Sequence, residues 1–280
     1  MADTFERSCE HWSEAGRREM EDFYSLAEVD YRYLAEAHDW GRWICDRHSE
    51  SKGERLKLLD VACGSGKFPL ALSRFSSIVD SGVETIDCDL LDPSAFSIAE
   101  TRRVLPPPFL PGREFETTLQ ALVGVDGEYD VAWATHALYA VPEELLATAL
   151  ERMVAALRSG GQGFIAHARS NAHYLRFYRH FLKGFRADQG TPYSTAEQIE
   201  DRLRNLGVRV ESHTIEYRNR AMREDESRVD GYLQRCGFDD TVSLDSMLSN
   251  PDTGGYLRSC QIDGEWQFSQ RVALIFFEAP

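Results

Sequence analysis

No stretch of this 280-residue sequence approaches eighteen uninterrupted apolar residues, so no membrane-spanning helix is expected. Cysteine is sparse and scattered. Cys9, Cys45, Cys63, Cys88, Cys236 and Cys260 form no C-x-x-C pair and no tight cluster with histidine, which argues against structural zinc and leaves no metal site expected. Reduced thiols packed as small apolar groups are the simpler reading. Basic residues are also in deficit, 31 Lys and Arg against 46 Asp and Glu, for a net charge of -15. Such a surface repels polyanions, so nucleic acid and anionic membranes are not expected partners, and a small molecule is. The opening "MADTFERSCEHWSEAGRREMEDFY" shows no apolar run behind a basic flank, and the cytoplasm is the expected compartment. Nothing in the pattern specifies an oligomeric state.

What is present suffices for an enzyme-sized core, with 42% hydrophobic residues. Residues 1–50 read as a helical cap, with Phe23, Leu26, Asp30, Tyr33, Leu34, Ala37 and Trp40 at mostly three- and four-residue spacing. The polar segment "SESKGER" then links the cap to an α/β core over residues 51–217, where short apolar runs alternate with helical patterns. Strands are expected at Lys57–Ala62, Val83–Leu91, Glu128–Thr135, Gly163–Ala168, Val208–Tyr217 and Trp266–Glu278. One helix should open at Pro142 and stop at Gly160 and Gly161, and another should carry a capping box from Ser194 to Glu197. "VLPPPFLPG" reads as a stiff connector, closed to helix and inner strand by its four prolines. Residues 218–264 read as a helical and loop insertion, with "REDES" at Arg223–Ser227 an exposed loop. Residues 265–280 supply the final strand.

The segment "LLDVACGSGKFPLAL", residues 58–72, contains GSGK. A phosphate-binding Walker loop needs a glycine where Val61 stands and a hydroxyl where Phe68 stands, so that reading fails twice. A dinucleotide fingerprint needs a third glycine where Leu70 stands. What remains is a strand ending at Asp60, a bend through Gly64 and Gly66, and a helix from about Phe68, a geometry in which the backbone can approach a ligand across the strand end.

"DVACGSG" resembles the first motif of the class I S-adenosylmethionine-dependent methyltransferases, with Ala62 in place of the first glycine. "DLLDPSAFSIAE" resembles the end of that family's second strand, where an acidic residue takes the ribose hydroxyls. Asp92 fills this role, followed by Pro93, with Asp89 as the alternative. "EYDVAWATHALYAVP" is similar to the fourth-strand motif facing the methyl group. The resemblance implies a Rossmann-like, seven-stranded, mostly parallel sheet with helices on both faces. It also implies S-adenosyl-L-methionine as cofactor, with Asp60, Ala62, Gly64 and Gly66 beside it. From Asp60 to Ala279 the layout is similar to that of the histamine N-methyltransferases. By that likeness Thr118 and Thr135 contact the cofactor, His136 and Gln270 take the place of amine-binding amides, and Tyr174 and Tyr178 take that of two pocket tryptophans.

Physical chemistry gives these positions a second reading. Methyl transfer is an in-line displacement that depends on positioning and desolvation, and an amine acceptor must arrive neutral. His136, with an ordinary pKa of about 6.5, suits that work, or is a histidine satisfied within the fold. Tyr139, Tyr174 and Tyr178 complete the catalytic candidates, and Tyr31, His38 and Gln270 the substrate-binding ones. Packing is the alternative for Tyr174 and Tyr178, which share a helix face. The aromatics Tyr24, Tyr31, Tyr33 and Trp40 either cover a sulfonium or pack the cap. Arg169, Arg176 and Arg179 either clamp a carboxylate or face solvent. The leading expectation is a small-molecule methyltransferase acting on an amine, phenol or acidic carbon. One alternative cyclises the cofactor to azetidine-2-carboxylate with release of methylthioadenosine, and another binds without turnover.

Overall fold

The computed structural model describes residues 3–14, 17–50 and 54–280, so residues 51–53 of the expected linker lie outside the described residues. Three helices come first, α1 (Thr4–His11), α2 (Arg17–Glu36) and α3 (Trp40–Glu50). The α/β alternation follows as β1 (Leu56–Val61), α4 (Lys67–Phe75), β2 (Ile86–Asp92), α5 (Ala95–Val104), β3 (Phe109–Glu116), β4 (Tyr129–Thr135), α6 (Glu143–Ala156) and β5 (Leu157–Ala168). Then come α7 (His173–Arg186), α8 (Ala196–Asn205) and β6 (Arg209–Met222). Three helices, α9 (Glu226–Gly237), α10 (Leu244–Ser249) and α11 (Pro251–Ser259), precede the hairpin of β7 (Gln261–Ile262) and β8 (Glu265–Glu278). Seven strands run in the order β3-β2-β1-β4-β5-β8-β6, and the two-residue β7 joins β8 as an eighth. β8 is antiparallel to both neighbours, and the other long strands run parallel. Among the described residues no helix is long and apolar enough to cross a membrane.

Both faces of the sheet are buried, and the two-residue period of a strand divides its side chains between them. In β4, Val131 and Trp133 enter a core with Leu34, Trp40, Phe68 and Leu72 from the helices of one face. Ala132 and Ala134 enter the opposite core, with Leu146, Leu150 and Met153 of α6 and Ile199 and Leu203 of α8. A third core joins α7, α9 and α11 to Leu26 and Ala27 of α2 and to Trp266 and Phe268 of β8. The cap and the late helices therefore share one apolar interior beyond the ends of the strands.

Several local expectations shift. Half of the proline-rich connector becomes edge strand β3, with Pro111 opposite Cys88 at a register break; an edge position tolerates the missing N–H. α6 ends at Ala156 instead of Gly160, because Leu157 already pairs with Tyr129 in the sheet. The capping box belongs to Thr195 and Gln198, since the Ser194 hydroxyl is used up on the Leu138 carbonyl at 2.7 Å. β6 extends past Tyr217 to Met222.

Gly163 of β5 lies opposite Phe277 of β8, and a Cβ built there would stand 2.0 Å from the Phe277 ring. Gly163→Ala is therefore expected to destabilise the fold by about 1–3 kcal/mol through overpacking. Urea unfolding of the variant measures this, and an unchanged midpoint would show that the ring can move aside.

Candidate functional site

Between β1 and α4 the chain turns through Ala62, Gly64 and Gly66, with φ of 51°, 56° and 70°. Glycine adopts this left-handed region freely, whereas alanine is strained there, so the departure at Ala62 carries a conformational cost. The bend is pinned from the neighbouring strand. Gly64 N–H donates to Asp92 Oδ2 at 3.1 Å, and Thr101 Oγ1 of α5 donates to the Gly64 carbonyl at 2.8 Å. Asp92 Oδ1 also accepts from Ser94 N at 2.9 Å. A side chain at Gly66 would press on Val104 of α5 at 2.9 Å, so the bend lies close against that helix.

Beneath the bend opens a cavity of about 260 Å³. Asp60, Ala62, Gly64, Asp92, Pro93, Thr118 and Thr135 all line it, while α1 and the residues after it contribute Phe5, Ser8, Cys9 and Trp12 as its cover. Asp60 is 3% exposed and its Oδ2 has no hydrogen-bond partner. Burial, with the Asp92 charge adding to it, pushes the Asp60 carboxyl up to about 7. Burial likewise raises Asp92 to about 6, against the pull of the Ser94 and Gly64 N–H groups. Asp60, with one buried oxygen left without a partner, suits a cation.

A second, smaller cavity of about 80 Å³ adjoins the first. Ser8, Trp12, Tyr31, His136, Ala137 and Ala140 line both. His136 follows β4 in a left-handed conformation, φ 53°, with its N–H on the Ala166 carbonyl at 2.9 Å. Its Nδ1 pairs with Tyr139 Oη at 2.7 Å, and its Nε2 is buried without a partner. Desolvation and the nearby His167 push the imidazole down to about 3, so it is neutral at physiological pH. A free base titrating near 6.5, as the sequence suggests, is thus replaced by a neutral hydrogen-bonding group.

Asp30, 2% exposed, also lines this cavity and accepts from Tyr174 Oη at 2.5 Å and from Asn219 Nδ2 at 2.6 Å. Burial outweighs these bonds and raises its carboxyl to about 7. Gln270 does not line the cavity. Its amide donates to Asn219 Oδ1 at 2.9 Å, buttressing the Asp30 pair from behind.

Sequence comparison adds family to geometry. Residues 31–213 match the model of a family described as "Methyltransferase domain". The chain belongs to the class I S-adenosylmethionine-dependent methyltransferases. No protein among the curated ones matches this methyltransferase. By structure it is similar to loganic acid methyltransferase with SAH, at 12% identity and a TM-score of 0.59 over 93% of this chain and 97% of that one. It is also similar to magnesium protoporphyrin IX methyltransferase from Synechocystis PCC 6803 with bound SAH, at 11% identity and a TM-score of 0.54 over 99% and 100%. At these identities the likeness establishes the fold.

S-adenosylmethionine carries a sulfonium and an ammonium, and the unpaired Asp60 oxygen and raised carboxyls suit both. Other sequence candidates fall elsewhere. Asp89 is held by Arg113 and Tyr129 at the β2–β3 break and lines neither cavity. His38 packs on Trp40 and Phe276, with ring centroids 5.1 and 4.8 Å away, and lines neither cavity. Tyr178 stacks on Tyr193 at 3.8 Å and bonds Thr4 and Arg7, serving to hold α1 in place. Trp40 and Tyr33 pack instead of covering the site, Trp40 on Phe164 and Tyr33 on Tyr217. Arg169 is engaged by Glu200, Arg176 lies over Tyr256 and Arg179 donates to the Ser170 carbonyl, and none of the three lines either cavity. Asp30 was legible as an acid within the apolar stripe of α2, a position where a charge needs a reason.

A carboxyl whose pKa is raised on folding stabilises the native state when protonated, below about pH 4, and this is lost as pH climbs to about 7. In the ligand-free protein, Asp60→Asn should make stability fall less steeply over that interval, by roughly 1–4 kcal/mol across it. Urea midpoints from pH 4 to 8 give the slope, and an unaltered slope would place the titration elsewhere.

Proposed function

We propose that this methyltransferase methylates a small amine held in the second cavity, with S-adenosylmethionine in the first. The observation that carries the reading is that His136 lines both cavities while its buried Nε2 has no hydrogen-bond partner. When bound, the cofactor supplies an electrophilic methyl on sulfur. The protein's own contribution is alignment and exclusion of water. With the Nδ1–H donating to Tyr139 Oη, His136 Nε2 accepts a hydrogen bond from the acceptor's N–H and turns its lone pair toward the junction. Asp30, once ionised, holds a cationic group at the far end. Phe23, Tyr31, Tyr174 and Tyr193 line the chamber around it, and their ring faces favour a cation by about 0.5–2 kcal/mol each. A phenol or an acidic carbon would gain nothing from Asp30, which is why an amine is preferred within the broader class.

Cyclisation of the cofactor would need no separate acceptor chamber, and a binding protein would need no neutral imidazole at the junction. The test incubates the protein with S-adenosylmethionine, with and without a panel of small mono- and diamines, and follows adenosine thioethers by mass. S-adenosylhomocysteine appearing only with an amine supports the reading. Methylthioadenosine from the cofactor alone would replace it with cyclisation, and cofactor binding without any product would favour the non-catalytic alternative.

With an amine substrate, kcat/KM should rise with pH through about 7 as Asp30 ionises. Asp30→Asn should raise KM about tenfold or more and abolish that inflection. His136→Ala should lower kcat by about 10²-fold or more with little change in cofactor affinity, checked by calorimetry. A His136→Ala variant of full kcat would remove the imidazole from the mechanism.

A further inference from the structure

The lysine of the GSGK segment has no part in the function so far. Lys67 is the first residue of α4, and among the described residues it is the only lysine or arginine lining the larger cavity, which also holds the two carboxylates Asp60 and Asp92. Its side chain is 24% exposed, and its Nζ lies 4.6 Å from the centre of the Tyr24 ring. The one carboxylate paired with it is Glu28, at a long 3.8 Å and 63% exposed, a contact that solvent screens. Ser65, two residues earlier, lines the same cavity with its buried hydroxyl beside Tyr24.

Rings run from Lys67 toward the second cavity: its Nζ lies over Tyr24, Tyr24 is 6.2 Å from Tyr31, and Tyr31 is 5.8 Å from His136, and both Tyr31 and His136 line the two cavities. The cofactor's amino-acid end carries one carboxylate and one ammonium. Asp60 Oδ2 suits the ammonium. An anion placed near Asp60 and Asp92 would be repelled without a local cation, and Lys67 is the cation in reach.

Resting on the cofactor reading above, we infer that Lys67, with the Ser65 hydroxyl, recognises the carboxylate of the cofactor's amino-acid end. The glycines of the bend bring the backbone to the ligand, and the lysine after them selects an intact α-amino acid over a nucleoside thioether or an amine alone. The GSGK segment is thus an anion site after all, for a carboxylate instead of a phosphate.

Isothermal titration calorimetry tests this without turnover. The probes are S-adenosylhomocysteine and its decarboxylated analogue, S-adenosyl-3-thiopropylamine, which keeps the amine facing Asp60. The wild-type protein should bind the first about tenfold or more tightly than the second. Lys67→Gln should bind both about as the wild type binds the analogue, and Lys67→Arg should restore part of the difference. A wild-type ratio retained in Lys67→Gln, or equal weakening of both ligands, would overturn the assignment. Wild-type protein that binds neither ligand would overturn the cofactor reading itself, an outcome seen without any substitution.

Discussion

The hydrogen bond from Gly64 N–H to Asp92 Oδ2 joins the bend after β1 to the end of β2, and the cavity depends on it. A second tie, from Cys63 N–H to the Leu91 carbonyl at 3.0 Å, holds the same bend to β2, and the Thr101 hydroxyl on the Gly64 carbonyl reinforces both. With Oδ2 on Gly64 N–H and Oδ1 on Ser94 N–H, both Asp92 oxygens are held, which sets the carboxylate's position at the cavity. Sheet order completes the arrangement, because β1 lies between β2 and β4 and so brings Asp60, Asp92 and Thr135 to one edge. This is the crevice beyond the carboxyl ends of parallel strands where such sheets bind ligands.

Charge is distributed unevenly across the two chambers. Asp60, Asp92 and Asp30 are all buried, and all have raised carboxyl pKa values because water is excluded from them. An acid held this way costs stability unless a cation arrives, so the ligand-free protein stores an electrostatic preference for one. Neutral His136 lines both chambers, while Lys67 adds a positive charge to the larger one and the buried Arg235 adds one to the smaller. Tyr174 and Asn219 orient Asp30, while Gln270 and Tyr232 support Asn219 from the sheet and from α9. The chamber is lined by the cap, the loop after β4, α7 and α9, while Asn219 of β6 and Gln270 of β8 hold Asp30 from behind that lining.

The larger cavity was legible in the sequence because much of its lining is local. Asp60, the bend and Asp92 each stand at the end of an apolar run, and a strand end in a parallel sheet has one place to be. Strand β3 was less legible, since its prolines obscure it and only an edge position permits them. Ser194 and Thr195 show a finer limit. Either hydroxyl could cap α8, and the choice fell to Thr195 because a carbonyl of a distant segment, Leu138, took the other.

The smaller cavity was poorly legible. Tyr174 and Tyr178 lie on one turn of α7 and look equivalent by spacing, yet Tyr174 reaches Asp30 while Tyr178 stacks on Tyr193 beneath α1. His38 looked suited to a ligand but packs against Phe276. The sequence by itself determined the strand-bend-helix motif, the class of sheet and the acidic groups at strand ends, because each is set by neighbours within a few residues. Only the tertiary structure decided that Asp30, Asn219 and Gln270, up to 240 residues apart, would form one buried polar cluster beside His136. Burial and the direction of a side chain are properties of packing between distant elements, and residue order alone does not contain them.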